Sequence, residues 1–254
     1  MSFDIIIPAR YQSSRLPGKP LRLLAGKPLL QHVYECAQRT AARNIIIATD
    51  DDRIATVAQT FAAKVCMTAT SHASGTQRIA EVIDQYQIAE DTIVVNLQGD
   101  EPLMPAACIT QVAALLEKQA DAQVATLSAP LHEESELANP NIVKVVSNKL
   151  GYALYFSRAM IPYQRDYDAQ LLTRALQQGV YQRHIGLYAY RAGYIKEYIQ
   201  QQPSCYEQLE NLEQLRVLWH GGTIAIAEAH VIPGPGVDTE EELRVVEALL
   251  RSRH

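Results

Sequence analysis

Three cationic side chains, Arg10, Arg15 and Lys19, lie close together near the amino terminus. The surrounding segment, 8–21, also contains two serines, a glycine and several prolines, and it follows the apolar run 3–7. Ligands of α/β proteins bind at the carboxyl ends of parallel strands, and clustered cations suit a polyphosphate. A solvated basic loop is the alternative, but the position directly after a predicted strand favours phosphate binding.

Two acidic residues supply a second kind of chemistry. Asp100 follows the predicted strand Thr92–Leu97, and Asp238 lies in a loop rich in proline and glycine. Mg²⁺ prefers oxygen ligands and often binds through one or two carboxylates together with substrate phosphates. A metal-binding pair next to a cationic loop predicts metal-assisted phosphoryl or nucleotidyl transfer. Asp238 could instead cap the last helix, which is the commoner role for an aspartate at this position.

Alternating strands and helices must position these residues. The strands predicted in the first half are Phe3–Ala9, Asn44–Thr49, Lys64–Met67, Thr92–Leu97 and Val124–Leu127. Between them, apolar residues recur at helical spacing in the segments that begin at Leu29, Ile54, Gly75 and Ile109. This alternation predicts an α/β fold with a Rossmann-like, doubly wound and mostly parallel sheet.

The pattern changes after about residue 130. Short strands are predicted at Val143–Ser147, Ala153–Phe156 and Ile185–Tyr190, and the stretch Gln164–Gln182 is polar. The α/β pattern then returns with a helix at Glu207–Trp219, a strand at Thr223–Ala227 and a helix at Glu240–Leu250. We therefore expect a single domain, 1–254, with an inserted antiparallel lobe at about 130–200.

Composition excludes several classes of protein. The formal net charge of −5 argues against a general nucleic-acid binder, whose affinity depends on excess cations. No apolar stretch approaches the length of a membrane span. The four cysteines are widely spaced without a metal-binding pattern, which indicates reduced thiols and a cytoplasmic protein. The sequence also lacks G-x-x-x-x-G-K-[ST] and G-x-G-x-x-G, which weakens the ATPase and dehydrogenase interpretations.

Eight motifs in register resemble one enzyme family. They are the loop from Pro8 to Leu21, His72-Ala73-Ser74-Gly75-Thr76, Asn96-Leu97-Gln98-Gly99-Asp100-Glu101-Pro102, Asn139-Pro140-Asn141, Tyr155-Phe156-Ser157-Arg158, Arg183-His184-Ile185-Gly186, Leu212-Glu213-Gln214-Leu215-Arg216 and Gly236-Val237-Asp238-Thr239. The chain resembles the 3-deoxy-manno-octulosonate (Kdo) cytidylyltransferase family, also called CMP-Kdo synthetases, over essentially its whole length. The resemblance implies a nucleotide-diphospho-sugar transferase fold and the reaction of CTP with Kdo to CMP-Kdo and diphosphate, used in lipopolysaccharide synthesis.

The resemblance also implies a nucleotide and metal site. Residues similar to those that bind the nucleotide are Ala9, Arg10, Ser13, Arg15, Lys19, Ser74, Gly75, Arg78 and Gln98. Asp100 and Asp238 would bind Mg²⁺ between the α-phosphate and the Kdo hydroxyl and lower the pKa of that hydroxyl. Arg15 and Lys19 complete the expected catalytic set, and no separate protein base is assigned.

Sugar contacts are expected from Gln98, Arg158, Arg165, His184, Tyr188, Glu213 and Gln214. Alternatives remain for two of them. Tyr188 points inward on a strand, where it could be plain core, and Glu213 could form a helix-surface pair with Arg216. The resemblance favours a functional role for His184 and Glu213 and leaves Tyr188 undecided.

Several positions depart from the family pattern. Thr70-Ser71-His72 stands where relatives often have Ala-Asp-His or Ala-Glu-His, and Ala69, Gln77 and Tyr163 replace a frequent Arg, acid and Trp. These changes leave the phosphate and metal residues intact but put fine substrate preference in doubt, so an 8-amino-Kdo substrate stays open.

Three other functions compete with this one. An enzyme for another sugar acid, such as sialic acid, would share the arginine loop and differ on the sugar side. A hexose-phosphate nucleotidyltransferase should have G-x-G-T-R-L in place of residues 9–16. A non-catalytic nucleotide-binding protein should have lost Asp100 or Asp238. The family resemblance further implies a homodimer, for which Leu154, Tyr155, Ile161 and Tyr163 could supply apolar contacts.

Overall fold

The computed structural model describes residues 2–12 and 15–252, and its main feature is a nine-stranded mixed sheet. The strands of the described chain are β1 (Phe3–Ala9), β2 (Leu23–Leu24), β3 (Lys27–Pro28), β4 (Asn44–Thr49), β5 (Lys64–Met67), β6 (Ile93–Asn96), β7 (Val124–Pro130), β8 (Lys144–Ser147), β9 (Ala153–Ser157), β10 (Gln182–Arg191) and β11 (Ile224–Glu228). Strands β2 and β3 form a separate two-stranded sheet.

The main sheet runs in the order β11-β7-β10-β6-β1-β4-β5. Strand β1 lies at its centre and pairs in parallel with β4 and β6, and further parallel pairs join β4 to β5 and β7 to β11. All seven residues of β1 are buried, as expected for a parallel strand covered on both faces. The predicted mostly parallel sheet is therefore confirmed.

Helices cover both faces of this sheet. They are α1 (Leu29–Gln38), α2 (Asp52–Thr60), α3 (Gly75–Gln85), α4 (Ala106–Lys118), α5 (Glu134–Ala138), α6 (Ala169–Gln177), α7 (Ala192–Tyr198), α8 (Cys205–Glu210), α9 (Gln214–Trp219) and α10 (Glu240–Arg251). Ile5 and Ile7 face the layer that contains α1, α2, α4 and α10, whereas Ile6 faces α3, α7 and α9. Two apolar cores thus flank the sheet, and among the described helices none combines the length and apolarity that a membrane crossing requires.

Strand β10 is the main exception to parallel order. It runs antiparallel between β6 and β7, and its first residues pair with the hairpin formed by β8 and β9. The antiparallel region is therefore continuous with the main sheet. Inside it Lys144 is fully buried and donates to the backbone carbonyls of Asn139 and Arg158, which anchors the hairpin to the chain around it.

The single helix predicted at Glu207–Trp219 is wrong. Two short helices, α8 and α9, occupy this region, and Asn211 between them adopts a left-handed conformation with φ of 52°. A left-handed residue commonly ends a helix. The apolar spacing continues across the break, which is why the pattern predicts one helix where the backbone makes two.

The polar stretch Gln164–Gln182 also contains a helix that the sequence analysis does not predict. Asp168 accepts hydrogen bonds from the backbone N–H groups of Gln170 and Leu171 and so caps α6. Leu172 and Leu176 pack in a small separate core. Because only one narrow stripe of this helix is apolar, its composition resembles that of a loop.

Candidate active site

A cleft of about 570 Å³ opens at the carboxyl ends of β1 and β6. The predicted site residues that line it are Ala9, Arg10, Arg15, Lys19, Ser74, Gly75, Arg78, Gln98, Asp100, His184, Tyr188, Glu213, Gln214 and Asp238. Ser13 lies outside the described residues. Residues from both halves of the chain therefore meet in one cleft, at the sheet edge where α/β folds bind ligands.

Lys19 joins the two predicted metal carboxylates. Its Nζ lies 2.6 Å from Asp100 Oδ2 and 2.8 Å from Asp238 Oδ1, and Arg15 lies 3.0 Å from the other oxygen of Asp238. Burial alone would lower the pKa of Lys19, but the charges of Asp100 and Asp238 outweigh it and raise the pKa. Burial would likewise raise the pKa of Asp238, yet Lys19 and Arg15 hold it below its ordinary value. The contact between Lys19 and Asp238 therefore favours the ionised form of both side chains.

The capping alternative for Asp238 is not what the fold uses. Thr239 is the N-cap of α10, and its capping box with Glu242 satisfies the helix terminus. The backbone N–H of Asp238 donates to Glu242 at 2.8 Å, which leaves the Asp238 carboxylate for Lys19 and Arg15.

Close backbone approach brings the two acidic loops together. A Cβ on Gly99 would lie 2.8 Å from the carbonyl oxygen of Pro8, so a larger residue cannot fit without moving β1 or the loop that carries Asp100. On the other side the N–H of Val237 donates to the carbonyl of Asp100 at 2.9 Å. The positions of both carboxylates are thus determined by backbone contacts.

A third acid, Glu101, lines the same cleft. Burial, followed by the charges of Asp100 and Asp238, raises its pKa to about 8. This carboxyl group is therefore protonated near neutral pH, and it adds no charge to the pair beside it. The sequence analysis names Glu101 only as part of a motif.

The opposite wall of the cleft begins at the N-terminus of α3. Ser74 is its N-cap and accepts from the N–H of Gln77, and Gly75 is the first helical residue. Arg78, one turn later, is buried and pairs with Asp50 at 3.0 Å and with the hydroxyl of Thr68. The charge of Arg78 is thus already balanced beneath the cleft, while Ser74 and Gly75 present backbone groups to it.

Histidine 184 is neutral in this cleft. Desolvation by burial lowers its pKa to about 3, and its Nε2 lies 3.0 Å from the hydroxyl of Thr126. That hydroxyl also contacts the carbonyls of Ile185 and Leu187, which can only accept. We infer that the Thr126 proton is directed to a carbonyl, so that His184 Nε2 donates and Nδ1 is an acceptor.

Three polar atoms in the cleft are buried without a hydrogen-bond partner among the described residues. They are Asn96 Oδ1, the hydroxyl of Tyr188 and Gln214 Nε2. Tyr188 and Asn96 are paired across β10 and β6, and Tyr188 also packs in the apolar core, so its core role is confirmed and its contact with a sugar stays a prediction. An unpaired buried polar group costs about 1–3 kcal/mol. The sequence analysis does not select Asn96, although a polar residue ending the apolar strand Ile93–Asn96 is a usable signal.

Glu213 lies in the same part of the cleft. Burial raises its pKa, and a hydrogen bond from the Thr76 hydroxyl at 3.1 Å and the charge of Arg216 oppose that rise. Arg216 forms its ion pair with Glu207, at 2.5 Å, and not with Glu213. The surface pair considered as an alternative role for Glu213 is therefore not what the structure contains.

Two predicted sugar contacts lie elsewhere. Arg158 donates to the backbone carbonyls of Glu210 and Pro140 at 2.6 and 2.9 Å, and Arg165 is exposed to solvent. Neither is among the described residues that line the cleft. The contacts of Arg158 and Arg165 with a sugar stay predictions, and the geometry of this cleft does not support them.

Comparison with known proteins agrees with this geometry. Residues 5–226 match the family model described as Cytidylyltransferase. The chain belongs to this family. Within it, the chain is 55% identical over 250 residues to the 3-deoxy-manno-octulosonate cytidylyltransferase of Aliivibrio salmonicida, covering 98% of this chain and 99% of the relative. It is 54% identical over 245 residues to the enzyme of that name from Idiomarina loihiensis, covering 96% of each.

Solved structures extend the comparison. The chain superposes on CMP:2-keto-3-deoxy-manno-octonic acid synthetase complexed with CTP with a TM-score of 0.89 and 41% identity, covering 100% of this chain and 99% of that one. A cytidylyltransferase from Leptospira borgpetersenii matches with a TM-score of 0.63 and 14% identity, covering 99% and 87%. The second likeness shows the fold alone. The first, with the curated relatives, shows membership of the CMP-Kdo synthetase family across the whole chain.

Proposed function

We propose that the protein transfers a cytidylyl group from CTP to Kdo and releases diphosphate. The observation that carries this proposal is the contact of Lys19 with both Asp100 and Asp238, beside Arg15, in a cleft of a cytidylyltransferase fold. In the reaction the anomeric hydroxyl of Kdo loses its proton to water, its oxygen forms a bond to the α-phosphorus, and the bond from that phosphorus to the diphosphate breaks. Both reactants are anionic, so the site must neutralise charge at the reacting centre.

The cationic loop is the proposed triphosphate site. Arg10, Arg15 and Lys19 line one end of the cleft, where they would neutralise the charge that develops on the leaving diphosphate. Ser74 and Gly75, at the entry to α3, would select cytosine through backbone donors and acceptors. Arg78 would support that wall, since its guanidinium is already paired with Asp50.

The two aspartates fit a magnesium ion. Their nearest oxygens both accept from Lys19 Nζ, so one cation already bridges them, and Mg²⁺ would have to replace this ammonium group between the two carboxylates. Within residues 2–12 and 15–252 no group of three or more His, Cys, Asp and Glu side chains is arranged for a metal. Two carboxylates with the remaining ligands taken from phosphates and water is a common arrangement for Mg²⁺. When bound, Mg²⁺ would supply charge neutralisation and a lower pKa for the attacking hydroxyl.

The sugar would occupy the neutral end of the cleft. Tyr188, Gln214 and Asn96 hold unpaired polar atoms there, and the neutral His184 offers an acceptor. A ligand carrying several hydroxyl groups can satisfy all four. Gln98 and Glu213 line the same space and are proposed as further contacts. Contacts from Arg158 and Arg165 would require the segment 158–165 to approach the cleft.

We further propose a homodimer in the cytoplasm. The segment 130–200, proposed as the sugar-binding and dimerisation lobe, exposes large apolar side chains such as Leu154 and Tyr163, at 58% and 76% of their surface. Exposed apolar groups of this size suit an interface between two copies. Cys66, Cys108 and Cys205 carry no disulfide, as expected in a reducing compartment.

Diphosphate release tests the function. The protein should release diphosphate from CTP only when Kdo and Mg²⁺ are both present, and EDTA should stop the release. Parallel reactions with sialic acid and 8-amino-Kdo decide which acceptor is used. The three sugar acids differ from one another in the groups that would contact the proposed sugar end of the cleft. Absence of diphosphate release with every acceptor would refute the proposal.

A further inference from the structure

Tyr11 occupies an unusual position at the base of the cationic loop. The guanidinium carbon of Arg53 lies 3.3 Å from the centroid of the Tyr11 ring, which is stacking contact with the ring face. Tyr11 also packs against the main apolar core. Arg53 comes from the first turn of α2, so the contact joins the cationic loop to a helix that follows a different strand.

The opposite end of the loop touches the same tyrosine. Gly18 has φ of 66°, and a Cβ at this position would lie 3.2 Å from atoms of the Tyr11 ring. The N–H of Gly18 donates to the carbonyl of Tyr11 at 3.1 Å. Tyr11 therefore closes the loop through its backbone and supports it through its ring, and Lys19 follows immediately.

Arg53 is not available as a phosphate ligand. Its guanidinium donates to both carboxylate oxygens of Asp51, at 2.9 and 2.6 Å, and Asp51 also caps α2. The Arg53 side chain is thus fixed in orientation, its charge is balanced, and its free face is used on Tyr11. A fixed cation over an aromatic ring stabilises that ring's position.

We propose that Tyr11 and Arg53 are positioning residues that hold the cationic loop in its phosphate-binding conformation. This inference rests on the proposed function. Without the stack, binding of a triphosphate would have to order the loop, and that entropic cost would weaken affinity. The loss should depend on the phosphates and not on the base, because the wall that would select cytosine is formed by a different segment.

Equilibrium binding of CTP and of CMP, without acceptor, tests the proposal. Arg53→Ala should weaken CTP binding by about two- to fivefold, the range for loss of one cation–π contact at an exposed site. CMP, which lacks the β- and γ-phosphates, should bind as it does to the wild-type protein. Tyr11→Leu should behave like Arg53→Ala, whereas Tyr11→Phe and Arg53→Lys, which keep a ring and a cation, should retain most of the CTP affinity.

The chain offers a matched control. Lys64 lies over the ring of Tyr86 at 4.3 Å, and neither residue is among the described residues that line the cleft. Lys64→Ala should leave both nucleotide affinities unchanged. Arg53 is exposed, with 59% of its side chain accessible, so its truncation is a surface change that the fold tolerates.

Several results would overturn the inference. Unchanged CTP affinity in Arg53→Ala would show that the stack does not position the loop. Equal weakening of CTP and CMP would indicate a general disturbance of the site. If the wild-type protein binds no CTP, the proposed function itself fails, and that outcome is distinct from both.

Discussion

The two ends of the cleft differ in how their polar side chains are paired. One end contains Asp100 and Asp238, and the other contains Asn96 and Tyr188. At the proposed phosphate end Lys19 is paired with both Asp100 and Asp238, and Arg15 is paired with Asp238. At the proposed sugar end the uncharged side chains of Asn96 and Tyr188 leave polar atoms without partners among the described residues. A ligand at the first end must exchange existing ion pairs, whereas a ligand at the second supplies missing hydrogen bonds. The first end therefore suits strong charge stabilisation, and the second suits discrimination between similar sugars.

Removing one charge at the phosphate end should have the largest effect. Asp100→Asn keeps the shape of the side chain but removes the charge that would hold a cation, so kcat/KM should fall by about 10²–10³. Diphosphate release under saturating Mg²⁺ measures it. Asp121→Asn, an exposed residue that precedes β7 at the opposite edge of the sheet, is the charge-matched control. A loss of less than tenfold in Asp100→Asn would remove Asp100 from the mechanism.

Removing one hydroxyl at the sugar end should have an intermediate and selective effect. Tyr188→Phe keeps the ring but deletes the unpaired hydroxyl, so kcat/KM for the sugar acid should fall about tenfold while KM for CTP stays constant. Steady-state kinetics with each substrate varied in turn measures kcat/KM for the sugar acid and KM for CTP separately. Tyr194→Phe alters another buried tyrosine, one that is not among the described residues lining the cleft, and should change neither constant. If Tyr188→Phe changed the kinetic constants for CTP and for the sugar acid equally, the cleft would not be divided into a nucleotide end and a sugar end.

His184, at the proposed sugar end, should make the stability of the protein depend on pH. The pKa of His184 is lowered from 6.5 to about 3, so the unfolded chain binds this proton more readily than the folded protein does. The contribution of neutral His184 is therefore present above about pH 6.5 and is lost as pH falls toward 3, with a slope of up to about 1.4 kcal/mol per pH unit. When the free energy of unfolding is measured with urea between pH 4 and 7, it should depend less steeply on pH for His184→Gln than for the wild-type protein. An identical slope would mean that His184 is not held neutral.

The smallest effect should come from the helix that orients Asp238. Thr239→Ala removes the capping box of α10 and should cost about 1 kcal/mol in the free energy of unfolding. Ser204→Ala removes a similar box from α8 and should cost about the same. Only Thr239→Ala should also lower kcat/KM, by a few-fold, because only that capping box holds the backbone of Asp238, the proposed metal ligand. Equal activity losses in the two variants would show that general stability, and not the placement of Asp238, controls the rate.

Sequence patterns predict the parallel half of this protein well and the antiparallel half less well. Strands such as Phe3–Ala9 are continuous apolar runs, and their carboxyl ends mark where Arg10 and Asp100 must lie. A strand is predicted at Ile185–Tyr190, within β10, but its antiparallel place between β6 and β7 is not predicted, because that pairing depends on contacts far apart in sequence. Helix α6 is concealed by polar composition, and the break at Asn211 by continuous apolar spacing.

The predicted site shows a similar division. Motifs identify the charged residues because catalysis at a triphosphate needs those residue types. Asn96 is not selected, because the polar residue that ends its strand gains meaning only once burial leaves its Oδ1 without a partner among the described residues. The predicted sugar contact of Arg158 stays a prediction, and in the structure its guanidinium donates to backbone carbonyls. Roles that arise from the absence of a partner can be found only once the fold has brought the surrounding groups together.

The contact of Lys19 with Asp238 also bears on how the protein is made. The two residues are separated by 219 positions, and the Asp238 backbone is held by the first turn of the last helix. A ribosome adds about 5–20 residues per second. The cationic loop is thus synthesised long before its acidic partner, and the charged end of the cleft cannot close until nearly all of the chain has emerged. A nascent chain that stalls before this point can pair Lys19 with Asp100 but lacks the second carboxylate, which Lys19 and Arg15 both contact.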